Sequence, residues 1–147
     1  FPNASRNLVR LDFKLDFNKR MLHYMELLRK KKPIVLTGDL NVVHKDIDIH
    51  WKKPMDEESD VAGTTIQERR WFEKLLEKGY IDAFREFTVD GGHYTYWDTP
   101  SRARERNKGW RIDYFIISEE LKPRLRNCEI LSDVYGSDHC PISVIID

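Results

Sequence analysis

Cysteine is scarce in this sequence, with two in 147 residues. Cys128 and Cys140 show neither metal-type spacing nor a disulfide framework, which fits a reducing compartment. No apolar run approaches the ~20 residues that cross a bilayer, so no membrane partner is expected. The opening residues carry no signal-peptide pattern. Net charge is missing too, because 25 Lys+Arg balance 25 Asp+Glu, so the basic excess of many nucleic-acid binders is not there. The five histidines include no HExxH pair and CxxC does not occur, which argues against the common zinc sites. Nor is there a methionine at the first position. The chain opens on Phe1 in FPNASR, as if entered partway through a protein, and its length suits one domain or one lobe of a larger one.

What is present is an alternation of helical and strand patterns. Phe17, Met21, Met25 and Leu28 recur at helical spacing and, with the basic run at 29–32, predict a helix over 17–31 ended by Pro33. PIVLTGDLN reads as a buried strand delivering Asp39 and Asn41 to its C-terminal edge. Residues 45–63, with acidic residues at 56–60, read as a surface loop. TIQE at 65–68 is a capping box, opening a helix that buries Phe72, Leu75 and Leu76 and stops at Gly79. Residues 80–87 form a short mixed segment and YTYW at 94–97 is strand-like. The apolar run WRIDYFII at 110–117 predicts a buried strand with Asp113 at its centre. Strands are also expected over 129–134 and 142–146, around the turn YGSDHCP. Together these elements indicate an α/β lobe.

Four groups of residues could carry chemistry. Asp39 and Asn41, two apart after Gly38, offer an acid and an amide for a metal or a phosphate oxygen, or else a plain polar turn. Asp138 and His139 follow Gly136 between two strands. They offer a hard-cation ligand and a group that protonates near neutral pH, against the same plain reading. A carboxylate in an apolar strand needs a partner, so Asp113 calls for His139, which it would orient, or for an arginine such as Arg111. Tyr96, Trp97, Arg102, Arg104, Arg106, Lys108 and Trp110 interleave aromatic and basic residues in the manner of nucleic-acid surfaces, or combine a core Trp pair with a solvated loop. Cys140 adjoins His139, but neighbours in extended chain face opposite ways, which argues against a thiol nucleophile.

In order, PNASRNLVRLDF, LTGDLNVVHKDID, AGTTIQERRWF, IDAFREF, YTYW, RARERNKGWRIDYFIIS and GSDHCPI resemble the exonuclease III-type abasic-site endonucleases over nearly the whole chain. GDLN and SDH point only to the wider endonuclease/exonuclease/phosphatase superfamily, whereas the run at 102–115 is specific to the abasic-site branch. The resemblance implies the C-terminal half of a four-layered α/β sandwich, with two β-sheets packed face to face and flanked by helices. It implies hydrolysis of DNA 5′ to an abasic site with Mg²⁺, or Mn²⁺ in its place, and related trimming of 3′ ends. Its partners would be double-stranded DNA containing abasic sites and the N-terminal half of its own domain. Asp39 would activate the attacking water and Asn41 steady it. His139, held by Asp113, would contact the scissile phosphate, with Asn3 lining the site. Asp138 would bind metal alongside Asp39, Asn41 and His139. Tyr96, Trp110 and Ile112 would wall the pocket for a flipped-out sugar, and Arg6, Arg104 and Asn107 would meet DNA.

Three departures from the family pattern stand out. The metal-holding Asn, acidic residue and Glu of the family's N-terminal half have no counterpart here. Val61 replaces an asparagine before Ala62-Gly63, and Pro100 stands where relatives carry an inserting residue. Two alternatives fit the same residues: a phosphoesterase acting on RNA or phosphorylated small molecules, and a non-catalytic nucleic-acid-binding lobe.

Overall fold

A computed structural model describes residues 1–52, 54–55 and 58–147. Two members of the acidic stretch, 56 and 57, therefore lie outside the described residues. Helix α1 spans Leu11–Arg29, six residues longer at its start than the apolar stripe predicts. Its innermost face is Lys14, Asn18, Leu22 and Met25, spaced four, four and three apart as one side of a helix requires. Phe17, Met21 and Leu28 flank that face half-buried. The first two inward positions are polar, so the apolar pattern hid the first turns of the helix.

Strand β1, Val35–Asp39, pairs antiparallel with β3, Asp113–Ser118, in a register running from Val35 opposite Ile117 to Asp39 opposite Asp113. The short β2, Tyr80–Asp82, pairs with the far edge of β3, giving the order β1-β3-β2. Helix α2, Ile66–Glu77, starts at the predicted capping box: Thr65 Oγ1 accepts from the Glu68 backbone N–H while the Glu68 carboxylate accepts from that of Thr65. Trp71, Phe72 and Leu75 bury its inner face. Strands β4, Leu125–Ile130, and β5, Ile142–Ile146, form a separate antiparallel pair. β5 falls where expected. β4 begins four residues earlier than predicted, because the exposed Arg126 within it and Arg124 just before it masked its buried Leu125 and Cys128.

The two helices pack on one face of the three-stranded sheet, around Leu40, Phe72, Leu75, Tyr114 and Ile116. The other face meets β4 and β5 through Ile117, Leu125 and Cys128, flanked by Phe115 and Val144. The architecture is thus helices, sheet and second sheet in layers. Three expectations change. YTYW is not a regular strand, since Tyr96 makes only isolated bridges to Trp110 and His139. Asp113 opens β3 instead of sitting at its middle, because residues 110–112 bond to loops: the Arg111 N–H donates to Asp48 O and that of Ile112 to Thr95 Oγ1. The 45–63 segment is not wholly surface, as Asp48 and Ile49 are buried. Among the described residues no helix is long and apolar enough to cross a membrane.

Candidate active site

The β1–β3 register sets Asp39 and Asp113 side by side at one end of the sheet. Two like charges this close need separate partners. Asp39 Oδ1 accepts from the Asn41 backbone N–H at 2.6 Å, and Asp113 Oδ2 accepts from His139 Nδ1 at 2.7 Å. Burial pushes the Asp39 carboxyl above its ordinary range; the Asn41 bond opposes this and the Asp113 charge adds to it. His139 is raised, first by its hydrogen bond to Asp113 and then by attraction to the surrounding carboxylates, against the opposing effect of burial. A carboxylate accepts, so His139 donates to it through Nδ1, and this bond sets the direction of the ring.

The segment at 94–97 joins these parts. Thr95 Oγ1 accepts from the backbone N–H groups of both Ile112 and Asp113 at 3.1 Å, and Thr95 O accepts from Cys140 N–H at 2.9 Å. The Tyr96 ring lies 5.0 Å from the His139 ring. Trp110 is braced edge-on by Trp51 at 5.7 Å. Asn41 stands beyond the strand end with φ 50, so the strand geometry does not carry through from Asp39. Its side chain is fixed nonetheless, accepting from Asn3 Nδ2 and donating to Phe1 O, both at 2.9 Å.

Asn3, Asp39, Asn41, Tyr96, Trp110, Ile112 and His139 line a single cavity of about 520 Å³. Lys108 lines it as well, and so do His50, Asp98 and Ser101, which were not foreseen. Lys108 lies in the basic loop that the sequence did mark, whereas nothing in the sequence singled out His50. Four other candidates stand apart from the cavity. Asp138 is exposed, its carboxylate accepting from Ser137 Oγ and its carbonyl from Trp97 N–H. Arg6 lies exposed in a short turn. The Arg104 guanidinium donates to the carbonyls of Ser132, Val134 and Ser137 and lies over the Trp97 and Tyr135 rings. Asn107 accepts from Trp97 Nε1 and donates to Gly92 O.

Arg111 is not the partner of Asp113. It is fully buried and pairs with Asp48 at 2.7 Å and Asp82 at 2.6 Å. Cys140 is also buried, its thiol pushed up to about 11 mainly by burial, which leaves little nucleophilic thiolate. Asp39 and Asn41 offer oxygen donors of the kind a hard divalent cation prefers. Among the described residues no three His, Cys, Asp or Glu side chains converge closely enough to hold a metal ion. These residues therefore fit as part of a coordination set.

Comparison with known proteins identifies the family and the fold. Residues 11–139 match the Endonuclease/Exonuclease/phosphatase family. The chain is 44% identical over 147 residues to an exodeoxyribonuclease of Bacillus subtilis, covering 99% of this chain and 57% of the relative. It is 44% identical over 146 residues to the DNA repair nuclease APEX1 of Danio rerio, covering 99% and 46%. Among solved structures, AP endonuclease LMAP from Leishmania major superposes with a TM-score of 0.90 at 28% identity, over 99% of this chain and 47% of that one. The chain spans about half the length of the curated relatives it matches.

Proposed function

The chain belongs to the Endonuclease/Exonuclease/phosphatase family, and we propose that it forms the C-terminal lobe of a DNA repair enzyme that hydrolyses the phosphodiester bond 5′ to an abasic site. One observation carries this reading: the Asp39–Asn41 edge, the Asp113–His139 pair and the Tyr96, Trp110 and Ile112 walls meet at one cavity. The acid–amide edge and the histidine handle a phosphate. The aromatic and aliphatic walls admit a sugar without its base. Relatives described as AP endonucleases and a DNA repair nuclease support the substrate class.

In the reaction, Asp39 orients the attacking water and takes its proton, a role suited to a carboxyl held above its ordinary range by burial. As the imidazolium that its pairing with Asp113 favours, His139 donates from Nε2 to a phosphate oxygen, and Asp113 holds the ring in the direction this requires. Asn41, steadied by Asn3, fixes the water or the charged phosphorane oxygens. The family depends on a divalent metal. Mg²⁺ is the ion proposed here, held by Asp39 and Asn41 with ligands from the remaining lobe. When bound it supplies neutralising charge for the phosphate. Arg6, Arg104 and Asn107 are the proposed DNA contacts, with Arg104 and Asn107 also bonded to carbonyls of their own chain. Compartment follows the host: the nucleus in a eukaryote, the cytoplasm in a bacterium or archaeon.

The test uses the full-length protein with Mg²⁺. It should incise a duplex carrying one abasic analogue, on its 5′ side, and leave soluble phosphate esters largely untouched. Asp39→Asn should cut single-turnover incision by about a hundredfold or more, the scale of losing a positioned base, with duplex binding retained. Turnover of phosphate esters without incision would assign the site to small molecules. Binding without any turnover would make it a non-catalytic lobe.

A further inference from the structure

The Lys14–Glu68 ion pair is wholly enclosed, with both side chains at 0% exposure. Two charges buried together cost more to desolvate than their attraction returns unless further bonds satisfy them, and apolar residues of similar size commonly hold a protein together as well. Two of the further bonds here lead to the cavity, through Asn41 and Gly63. Lys14 Nζ donates to Glu68 Oε1 at 2.6 Å and to the backbone carbonyl of Asn41. Glu68 Oε2 accepts from the Gly63 N–H and the Thr65 hydroxyl, both at 2.8 Å, and from the Thr65 N–H at 3.3 Å. One carboxylate thus caps α2, ties down the Gly63 wall of the cavity and holds the ammonium that reaches Asn41.

Asn41 has need of this restraint. Its φ of 50 places it in the left-handed region, which residues other than glycine enter at a cost. On the other side of the same carbonyl lies Gly63, at φ 88, where an added Cβ would come within 3.1 Å of Asn41 O. The Asn41 carbonyl is therefore enclosed between Lys14 and Gly63, both of them bound to Glu68. Burial lowers the Lys14 pKa, and the carboxylates of Glu68 and of Asp39, two residues before Asn41, oppose this.

We propose that Lys14 and Glu68 are positioning residues for phosphodiester hydrolysis: the buried pair fixes the backbone of Asn41, and with it the Asp39–Asn41 edge, against the Gly63 wall of the cavity. This rests on the functional reading above. The capping-box glutamate then serves two ends, starting a helix and setting the site.

The experiment compares full-length wild type with Lys14→Met, Glu68→Gln, the double variant and Lys14→Arg. It measures single-turnover incision, duplex binding, thermal melting and the NMR signals of the Asn41 carbonyl carbon and the Gly63 amide. Each neutralising single variant leaves one buried charge unpaired and should both melt lower and react more slowly. The double variant removes both charges and should recover most of the lost melting temperature. Its incision should stay about tenfold or more below wild type, because nothing then holds the Asn41 carbonyl. Lys14→Arg keeps a cationic donor and should retain more of the rate than Lys14→Met. A double variant that regains rate along with stability would make the pair merely structural and overturn the proposal. Absence of incision by wild type would instead overturn the functional reading, and the tether would be judged by NMR. There the Asn41 and Gly63 signals should move in the double variant, and unmoved signals refute the tether.

Discussion

At the scale of single residues, His139 shows what one partner changes. Its hydrogen bond to Asp113 favours the charged imidazolium, so the folded-state pKa lies above the ordinary imidazole value. The sign of the linkage follows. The stability contributed by the pair is fully present below the unfolded-state pKa, so long as Asp113 carries its charge, and is lost as pH rises through the raised folded-state value. An NMR titration of the full-length protein should find the His139 midpoint above that of a free histidine, and Asp113→Ala should lower it. Equal midpoints in the two proteins would mean the pair is not formed in solution. The need for a partner was legible in the sequence, since a carboxylate inside WRIDYFII requires one, but the residues alone left it open between the SDH histidine and an arginine such as Arg111. What could not be read was where Asp113 stands. An unbroken apolar run looks like one strand, yet the bonds of residues 110–112 to loops delay β3 until Asp113. That delay puts the carboxylate at the sheet's end, where it can reach a loop histidine.

Among elements, local signals were legible and distant polar partners were not. The Thr65–Glu68 box and β5 announce themselves within a few residues. The start of α1 does not, because its first two inward positions are Lys14 and Asn18, and Lys14 is satisfied inside by Glu68, 54 residues away, and by the Asn41 carbonyl. Arg111 is the extreme case. It reaches Asp48 across 63 residues and Asp82 across 29, joining the turn after β1, the end of β2 and the approach to β3. Arg85 adds a second cation on Asp48. Removing Arg111 leaves Asp82 without this cation and Asp48 with Arg85 alone, and breaking a buried pair costs about 3–5 kcal/mol. Arg111→Met should therefore lower the unfolding free energy of the full-length protein by about that much in a denaturant titration. A loss below about 1 kcal/mol, the level of an exposed pair, would show that water or rearrangement replaces the arginine. Because residues 110–112 lead directly to Trp110 and Asp113, the same variant should disturb the cavity as well as the melting.

At the scale of the whole molecule, one edge of the sheet bears on what residues 1–147 can do alone. Val35, Thr37 and Asp39 point to the same face of the sheet as their partners Ile117, Phe115 and Asp113. At the β1 edge Val35 is 43% exposed and Thr37 is exposed too, so the strip leading to the paired carboxylates is only partly covered by β4 and β5. An exposed strand edge bearing apolar side chains invites pairing with another chain. The cavity lies at the end of this strip, and among the described residues no three acidic, histidine or cysteine groups form a metal cage. Both features are accounted for by the two-lobe proposal, in which the remaining half covers the strip and completes the ligand set. Residues 1–147 alone should then show negligible Mg²⁺-dependent incision of a labelled abasic duplex, and should self-associate or aggregate on a sizing column. Addition of the separately produced N-terminal half should restore incision, provided the lobes dock, and should yield a one-to-one complex. Lys14, Glu68, Asp39 and His139 are already held by bonds within this lobe, so the restored rate should depend on metal and on docking, not on slow refolding of the cavity. Full incision by a monomeric 1–147 would refute the two-lobe account, and would require Asp39, Asn41 and His139 to work without any ligand from a second half.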